Sequence, residues 1–301
     1  GGAARGCGTT RTAGLSGVTV SKKRVTEIDS MDLNESHQCR VELQQVFANI
    51  PVFDGLGPKD FTITRLPGYT NRNYRLHNSD HDWVLRLPRP STNLFIDRVA
   101  EAHNQNVAHN LGLAPQVLWR NDEGVSLTPT LSNSRNLQRT DFSGAQQLAL
   151  IVKPLQQLHR SGQRFLDQAD LGCTLARHFD LLDTRQQRDY ALRMAQAQRT
   201  LSLLAVDDQG WVPSHRDPVL GNLLLTDERL WLIDWEYSAM ASPYWDLAIL
   251  CNEADLDLQQ SRRLLQAYCV GGPAMQESML FDYRGLLKLL NDCWMSALAD
   301  S

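Results

Sequence analysis

Residues 212–246 read VPSHRDPVLGNLLLTDERLWLIDWEYSAMASPYWD, and the rest of the 301-residue chain is organised around them. His215-Arg216-Asp217 is followed by four residues and then Asn222. The apolar runs 222–225 and 230–233 flank the polar turn residues Thr226, Asp227 and Glu228. Short apolar runs joined by a polar turn predict a buried β-hairpin. Such a hairpin places Asp217 on the loop leading into its first strand, Asn222 at the end of that loop, and Asp234 where the second strand leaves. Three oxygen-bearing side chains then converge on one mouth.

That convergence suits phosphoryl transfer. One carboxylate, Asp217, orients a hydroxyl and takes its proton. The Asn222 amide oxygen and the Asp234 carboxylate hold Mg²⁺ against phosphates. The pattern H-R-D-x-x-x-x-N with a later metal-binding Asp is the protein-kinase arrangement. Either half alone is weak, because Asp and Asn are common in loops. The bland alternative is a hairpin with turn acids and a helix cap.

The end of the stretch narrows the resemblance. Ile233-Asp234-Trp235-Glu236-Tyr237, then Pro243-Tyr244-Trp245-Asp246, is similar to the choline kinase, ethanolamine kinase and thiamine kinase group. That group belongs with the aminoglycoside phosphotransferases, and its fold is protein-kinase-like. The resemblance covers roughly residues 45–300. It implies an α+β fold: a small N-terminal lobe with an antiparallel sheet and one helix, then a larger, mostly helical C-terminal lobe. It also implies ATP as co-substrate with Mg²⁺.

Upstream, residues 61–66 alternate like a strand and run into Pro67-Gly68-Tyr69-Thr70-Asn71 before a second strand. A glycine turn with small polar residues can cover phosphates, so Gly68, Thr70 and Asn71 are candidate nucleotide contacts. The turn also resembles the group's Gly-x-Thr-Asn-x-x-Tyr motif. Residues 83–88 form a third strand carrying Arg86 where protein kinases carry a lysine. An arginine in a half-buried strand needs a partner. The helix over 93–111, with Ile96, Val99, Ala100, Val107 and Leu111 on its apolar face, offers Glu101, with Asp97 as the rival. Residues 116–119 and 124–127 close the small-lobe sheet. Thr128-Pro129-Thr130-Leu131 forms the hinge, with Thr128 and Thr130 as candidate nucleotide contacts.

The large lobe begins with a helix from about Ser143 that contains Pro154 and ends at His159, a histidine read as structural. Further helices follow over 175–205, 247–251, 261–270 and 281–298. Trp235, Tyr237, Tyr244 and Trp245 cluster with Glu236, Asp246 and Glu253 beside the metal loop. Rings with carboxylates suit a cationic acceptor. Glu236, Tyr237, Tyr244, Trp245 and Glu253 are therefore candidate acceptor contacts together with Asp217, whereas Asp246 is read as bracing the catalytic loop. For each ring singly, core packing is the competing reading. The expected acceptor is a small cationic alcohol of choline, ethanolamine or thiamine type. An aminoglycoside, or a role as a kinase-like binding module, is the alternative.

Composition sets the outer limits. The chain is 42% hydrophobic and 21% charged, with net charge −4, which gives no footprint for nucleic acid. No apolar run approaches the ~20 residues of a membrane span. Six cysteines without metal spacing suggest reduced thiols and a cytoplasmic protein. Residues 1–30 lack a helical or strand period and read as a disordered extension. Residues 31–130 are then the nucleotide-binding lobe and 131–301 the catalytic and acceptor-binding lobe.

Overall fold

The computed structural model describes residues 43–68, 71–89, 96–204, 210–227 and 229–299. The expected extension over 1–30, the first residues of the expected nucleotide-binding lobe and Thr70 lie outside these residues.

The small lobe is a five-stranded antiparallel sheet in the order β1-β2-β3-β5-β4. Its strands are β1 (Thr62–Leu66), β2 (Asn71–His77), β3 (Asp82–Pro88), β4 (Trp119–Arg120) and β5 (Ser126–Pro129). Alternation decides which side chains go in. Tyr74 and Leu76 of β2 and Leu85 and Leu87 of β3 are buried, and they meet Phe47 of the helical residues 43–49 (α1), Phe53 and Phe61. Phe47 stacks on Phe53 at 3.9 Å between ring centroids. Hinge residues Thr128 and Pro129 belong to β5, paired with Val84 and Trp83. The Thr130 N–H donates to the Asp82 carbonyl at 2.9 Å.

Helix α2 (Arg98–Asn110) begins later than its periodicity implies, because Asp97 caps it, accepting from the Val99 and Ala100 N–H groups. Of its expected apolar face, Ala100 is buried and Val107 and Leu111 pack against the large-lobe core, but Val99 does not turn inward. Val99 is 72% exposed, and the buried residues are Ala100, Glu101, Asn104, Gln105 and Ala108. Polar residues hold this face because each is paired: Gln105 accepts from Arg120, and Glu101 and Asn104 have the partners described for the site.

The larger lobe is mainly helical: α3 (Ala145–His159), α4 (Leu171–Asp180), α5 (Thr184–Leu204), α6 (Pro243–Glu253), α7 (Leu258–Cys269) and α8 (Glu277–Ala299). The expected hairpin is present as β8 (Leu223–Leu225) and β9 (Leu230–Leu232), with β6 (Arg135–Asn136) added to its edge. A pairing that the sequence did not suggest joins β7 (Val212–Ser214) to β10 (Ala239–Ala241). It closes the chain on both sides of the hairpin, so the loop after β7 and the segment before β10 face each other. Ala108 and Leu113 pack in the large-lobe core, so the C-terminal end of α2 is anchored there. None of the described helices is long and apolar enough to cross a membrane.

Candidate active site

The loop after β7 is held by one buried carboxylate. Asp246, in the first turn of α6 and fully buried, accepts from the His215 N–H at 2.9 Å and the Arg216 N–H at 2.7 Å. His159 Nε2 donates to the same carboxylate at 3.0 Å, and His159 Nδ1 meets the Tyr268 hydroxyl at 2.7 Å. Burial alone would raise the Asp246 carboxyl, but His159, His215 and the backbone donor outweigh it and hold the group below the ordinary range. Asp246 thus fixes a loop in which Arg216 takes a left-handed φ of 64°.

His215 sets the next link. Its Nε2 donates to the Ile233 carbonyl at 3.0 Å, which leaves Nδ1 to accept from the Asp217 N–H at 3.3 Å. That pattern requires a neutral ring, and burial depresses its basicity in the same sense. The ring therefore ties the backbone of the 215–217 loop to the end of β9, one residue before Asp234. Asn222 completes the loop by donating through Nδ2 to the Asp217 carboxylate at 2.9 Å and to the Asp217 carbonyl at 3.0 Å. Its Oδ1 is the remaining acceptor.

Asp234 also has a left-handed φ of 64°, which turns its carboxylate back towards the small lobe. Arg86 of β3 donates through one guanidinium nitrogen to Asp234 at 3.0 Å and through the other to Glu101 of α2. Glu101, not Asp97, is therefore the partner of Arg86. Glu101 also accepts from Arg98 at 2.6 Å and lies 3.9 Å from Arg120. Arg98 reaches Glu236 at 3.7 Å, and Asn71 donates to Glu236 at 3.1 Å and to Asp234 at 3.4 Å. Three arginines and three carboxylates form one buried network across the lobes. Arg98 carries a local signal, its i,i+3 spacing to Glu101 on α2, whereas nothing local pairs the sheet-edge Arg120 with Glu101.

Two glycines make the small-lobe side possible. A Cβ on Gly68 would lie 2.7 Å from the Asn71 carbonyl oxygen, so the turn before β2 admits only glycine. Gly124 has φ +87°, and a Cβ there would meet the Arg98 guanidinium at 2.6 Å. The amide of Asn71, a candidate phosphate contact, spans the lobes to the two carboxylates. The Thr130 N–H, bonded within the sheet, is not free for a base.

The acceptor candidates separate into two groups. The charges of Glu236 and Glu253 are felt at Asp217, and that of Asp217 at Tyr237, although the Glu236 carboxylate itself is held in the seam by Asn71 and Arg98. Burial comes first in raising the Asp217 carboxyl well above its usual range, and Asp234, Glu236 and Glu253 add to it while Asn222 opposes. Glu236 is pushed up to about 7 by burial and by Asp234 beside it. The Tyr237 hydroxyl is likewise raised, by burial and then by Glu236 and Asp217. Tyr244 and Trp245 stand elsewhere, in the core. Tyr244 is fully buried, its hydroxyl accepts from the Gln276 N–H at 2.7 Å, and its ring stacks with Tyr283. Trp245 is covered by the Arg216 guanidinium, 4.3 Å from the ring centroid. The arginine that caps this ring also donates to the Tyr237 carbonyl at 3.0 Å. The sequence grouped these rings because they are neighbours in the chain; helix α6 turns Tyr244 and Trp245 inward.

The donor set fits a hard divalent cation. Asn222 Oδ1 and the Asp234 carboxylate supply oxygen; burial raises both the Asp217 and the Asp234 carboxyls, and Asp234, Glu236 and Glu253 add to the rise at Asp217. Among the described residues no group of three or more His, Cys, Asp or Glu forms a closed metal cage. A cation held by these two oxygen donors would take its remaining ligands from water or phosphate, as magnesium commonly does.

Comparison with known proteins agrees with this geometry. Residues 62–281 match the phosphotransferase enzyme family, APH. Protein LicA of Haemophilus influenzae is 31% identical over 222 residues, 72% of this chain and 66% of that protein, so the chain spans just under two thirds of that relative. A solved choline/ethanolamine kinase family protein from Mesorhizobium loti is 28% identical with a TM-score of 0.69, covering 86% of this chain and 84% of that one. Choline kinase LicA from Streptococcus pneumoniae shares the fold with a TM-score of 0.76 at 21% identity, covering 87% and 91% of the two chains. The family match takes in Arg86, Glu101, Asp217, Asn222 and Asp234, the residues that the fold draws together, and the chain belongs to the phosphotransferase enzyme family.

Proposed function

We propose that the protein transfers the γ-phosphate of ATP to the hydroxyl of a small cationic alcohol of the choline, ethanolamine or thiamine type. The observation that carries this reading is the meeting of Asp217, Asn222 and Asp234 at one mouth, with the Arg86–Glu101 pair on its small-lobe side. Asp217 accepts the acceptor's hydroxyl proton, and its raised carboxyl gives it the basicity for that task. Asn222 orients Asp217 by its two hydrogen bonds. Arg86, held by Glu101, presents a permanent positive charge to the nucleotide phosphates. Gly68 lets the turn before β2 approach them closely. Asn222 and Asp234 would hold magnesium, which when bound neutralises phosphate charge.

The acceptor's class follows from charge. Asp217 and Glu253 stand on the large-lobe side, with Tyr237 close enough to feel the charge of Asp217, and an ammonium group satisfies carboxylates that a neutral sugar would leave uncompensated, whereas Glu236 is taken up by Asn71 and Arg98 in the seam. The names of the relatives point the same way. The test is ATP turnover with and without Mg²⁺ against choline, ethanolamine, thiamine and kanamycin in turn. Turnover raised by one of the first three supports the reading. Turnover raised by kanamycin alone moves the protein to the aminoglycoside branch, and none with any acceptor removes the proposal.

A further inference from the structure

Helix α2 carries Glu101 to Arg86, yet it is fastened to the large lobe. Asn104 lies one turn beyond Glu101 on the same face and is completely buried. Its Nδ2 donates to the Ser238 carbonyl at 2.9 Å and to the Ser238 hydroxyl at 3.2 Å. Its Oδ1 accepts from the Leu166 N–H at 3.0 Å. Ser238 closes the segment that starts at Asp234: its N–H and hydroxyl both donate to the Trp235 carbonyl, at 3.0 and 2.6 Å. One amide thus joins the helix of Glu101 to the turn of Asp234. Further along, Ala108 packs in the large-lobe core and the Leu232 N–H donates to the Leu113 carbonyl at 2.9 Å.

We infer that Asn104 is a positioning residue for the transfer reaction: it locks α2 to the Asp234–Ser238 turn and so sets where Glu101 holds Arg86 relative to Asp234. The inference rests on the phosphotransferase reading of the site. A buried side-chain amide with its donors and acceptor all engaged has one orientation, which is what a register pin requires. A leucine of similar size would fill the same space but would leave the Ser238 carbonyl and the Leu166 N–H without a partner.

Asn104→Asp is the decisive variant. A carboxylate still accepts from Leu166 but has no hydrogen to give Ser238, and it sets oxygen against oxygen. At a temperature where circular dichroism shows both proteins folded, kcat is expected to fall about 10²-fold, the effect of misplacing a reacting group by ~1 Å. KM for ATP and for the acceptor are expected to change by less than about threefold. Amide hydrogen exchange is expected to rise together in α2 and in residues 234–238. Ser238→Ala, which keeps the carbonyl and removes one acceptor, is the milder companion, with a loss of about five- to tenfold; it decides the matter by the same readouts if Asn104→Asp does not fold. A variant whose kcat stays within about threefold of wild type, or whose exchange rises in α2 and not in 234–238, overturns the inference. If the wild type itself transfers no phosphate, the function proposed above fails, and the coupled exchange still tests the lock.

Discussion

Asp217 sits where burial and three other carboxylates all favour its proton, and only Asn222 opposes them. A base so placed makes a large contribution, so Asp217→Ala is expected to lower kcat by about 10²–10⁴ while ATP affinity is kept; single-turnover kinetics beside equilibrium nucleotide titration checks both halves. His215 gives a pH test on stability. Its ring is neutral and its basicity depressed below the ordinary 6.5, so the unfolded chain binds that proton more readily. Its contribution is present above pH 6.5 and is lost as the pH falls below it. Urea unfolding at pH 7.5 and 5.5 is expected to show a smaller pH difference for His215→Asn than for wild type, and equal differences would contradict this. At this scale the spacing of Asp217, Asn222 and Asp234 was readable because one short hairpin holds all three. Arg120 and Asn104 were not, because their partners lie on other elements; Arg98 shows its i,i+3 spacing to Glu101 but not its reach to Glu236.

Among the elements, α2 shows best why periodicity misleads. Its apolar pattern put Val99 inward, yet the buried face is Glu101, Asn104 and Gln105. Ion pairs and hydrogen bonds, not apolar transfer, fix that face. Removing the hub is therefore costly: Glu101→Ala leaves Arg86, Arg98 and Arg120 without their shared carboxylate. Breaking a buried ion pair costs about 3–5 kcal/mol, and urea unfolding is expected to show a loss of that size. The turn before β2 gives a second expectation. Gly68→Ala drives a Cβ into the Asn71 carbonyl, so the turn must shift and carry the Asn71 amide away from Glu236. KM for ATP is expected to rise well beyond any change in thermal stability, and a loss of stability with unchanged KM would show the turn to be only structural. The strands and hairpin of the small lobe were legible because alternation and turn residues mark them. The β7–β10 pairing was not: each strand has three residues, too few for a period.

Across the whole molecule, two cores meet along a polar seam. Asn71, Arg86 and Arg98 reach over it from the small lobe to Asp234 and Glu236. The two-lobed architecture followed from the order of the motifs and their family resemblance, whereas the seam depended on long-range pairing that no local pattern encodes. The acceptor side belongs to the large lobe, where exposed Glu253 ends α6 and adds to the charge felt at Asp217. Glu253→Gln is expected to raise KM for the amine and leave KM for ATP unchanged, because it removes uniform acceptor binding alone. The most direct test of the reaction is detection of its product. Wild type and Asp217→Ala are incubated with ATP, Mg²⁺ and choline, ethanolamine or thiamine, and phosphorus NMR follows the phosphate. A phosphomonoester of one of these alcohols, formed by wild type and at least about 10²-fold more slowly by Asp217→Ala, is the expected result. No phosphorylated alcohol from wild type, or equal rates from both proteins, would contradict it.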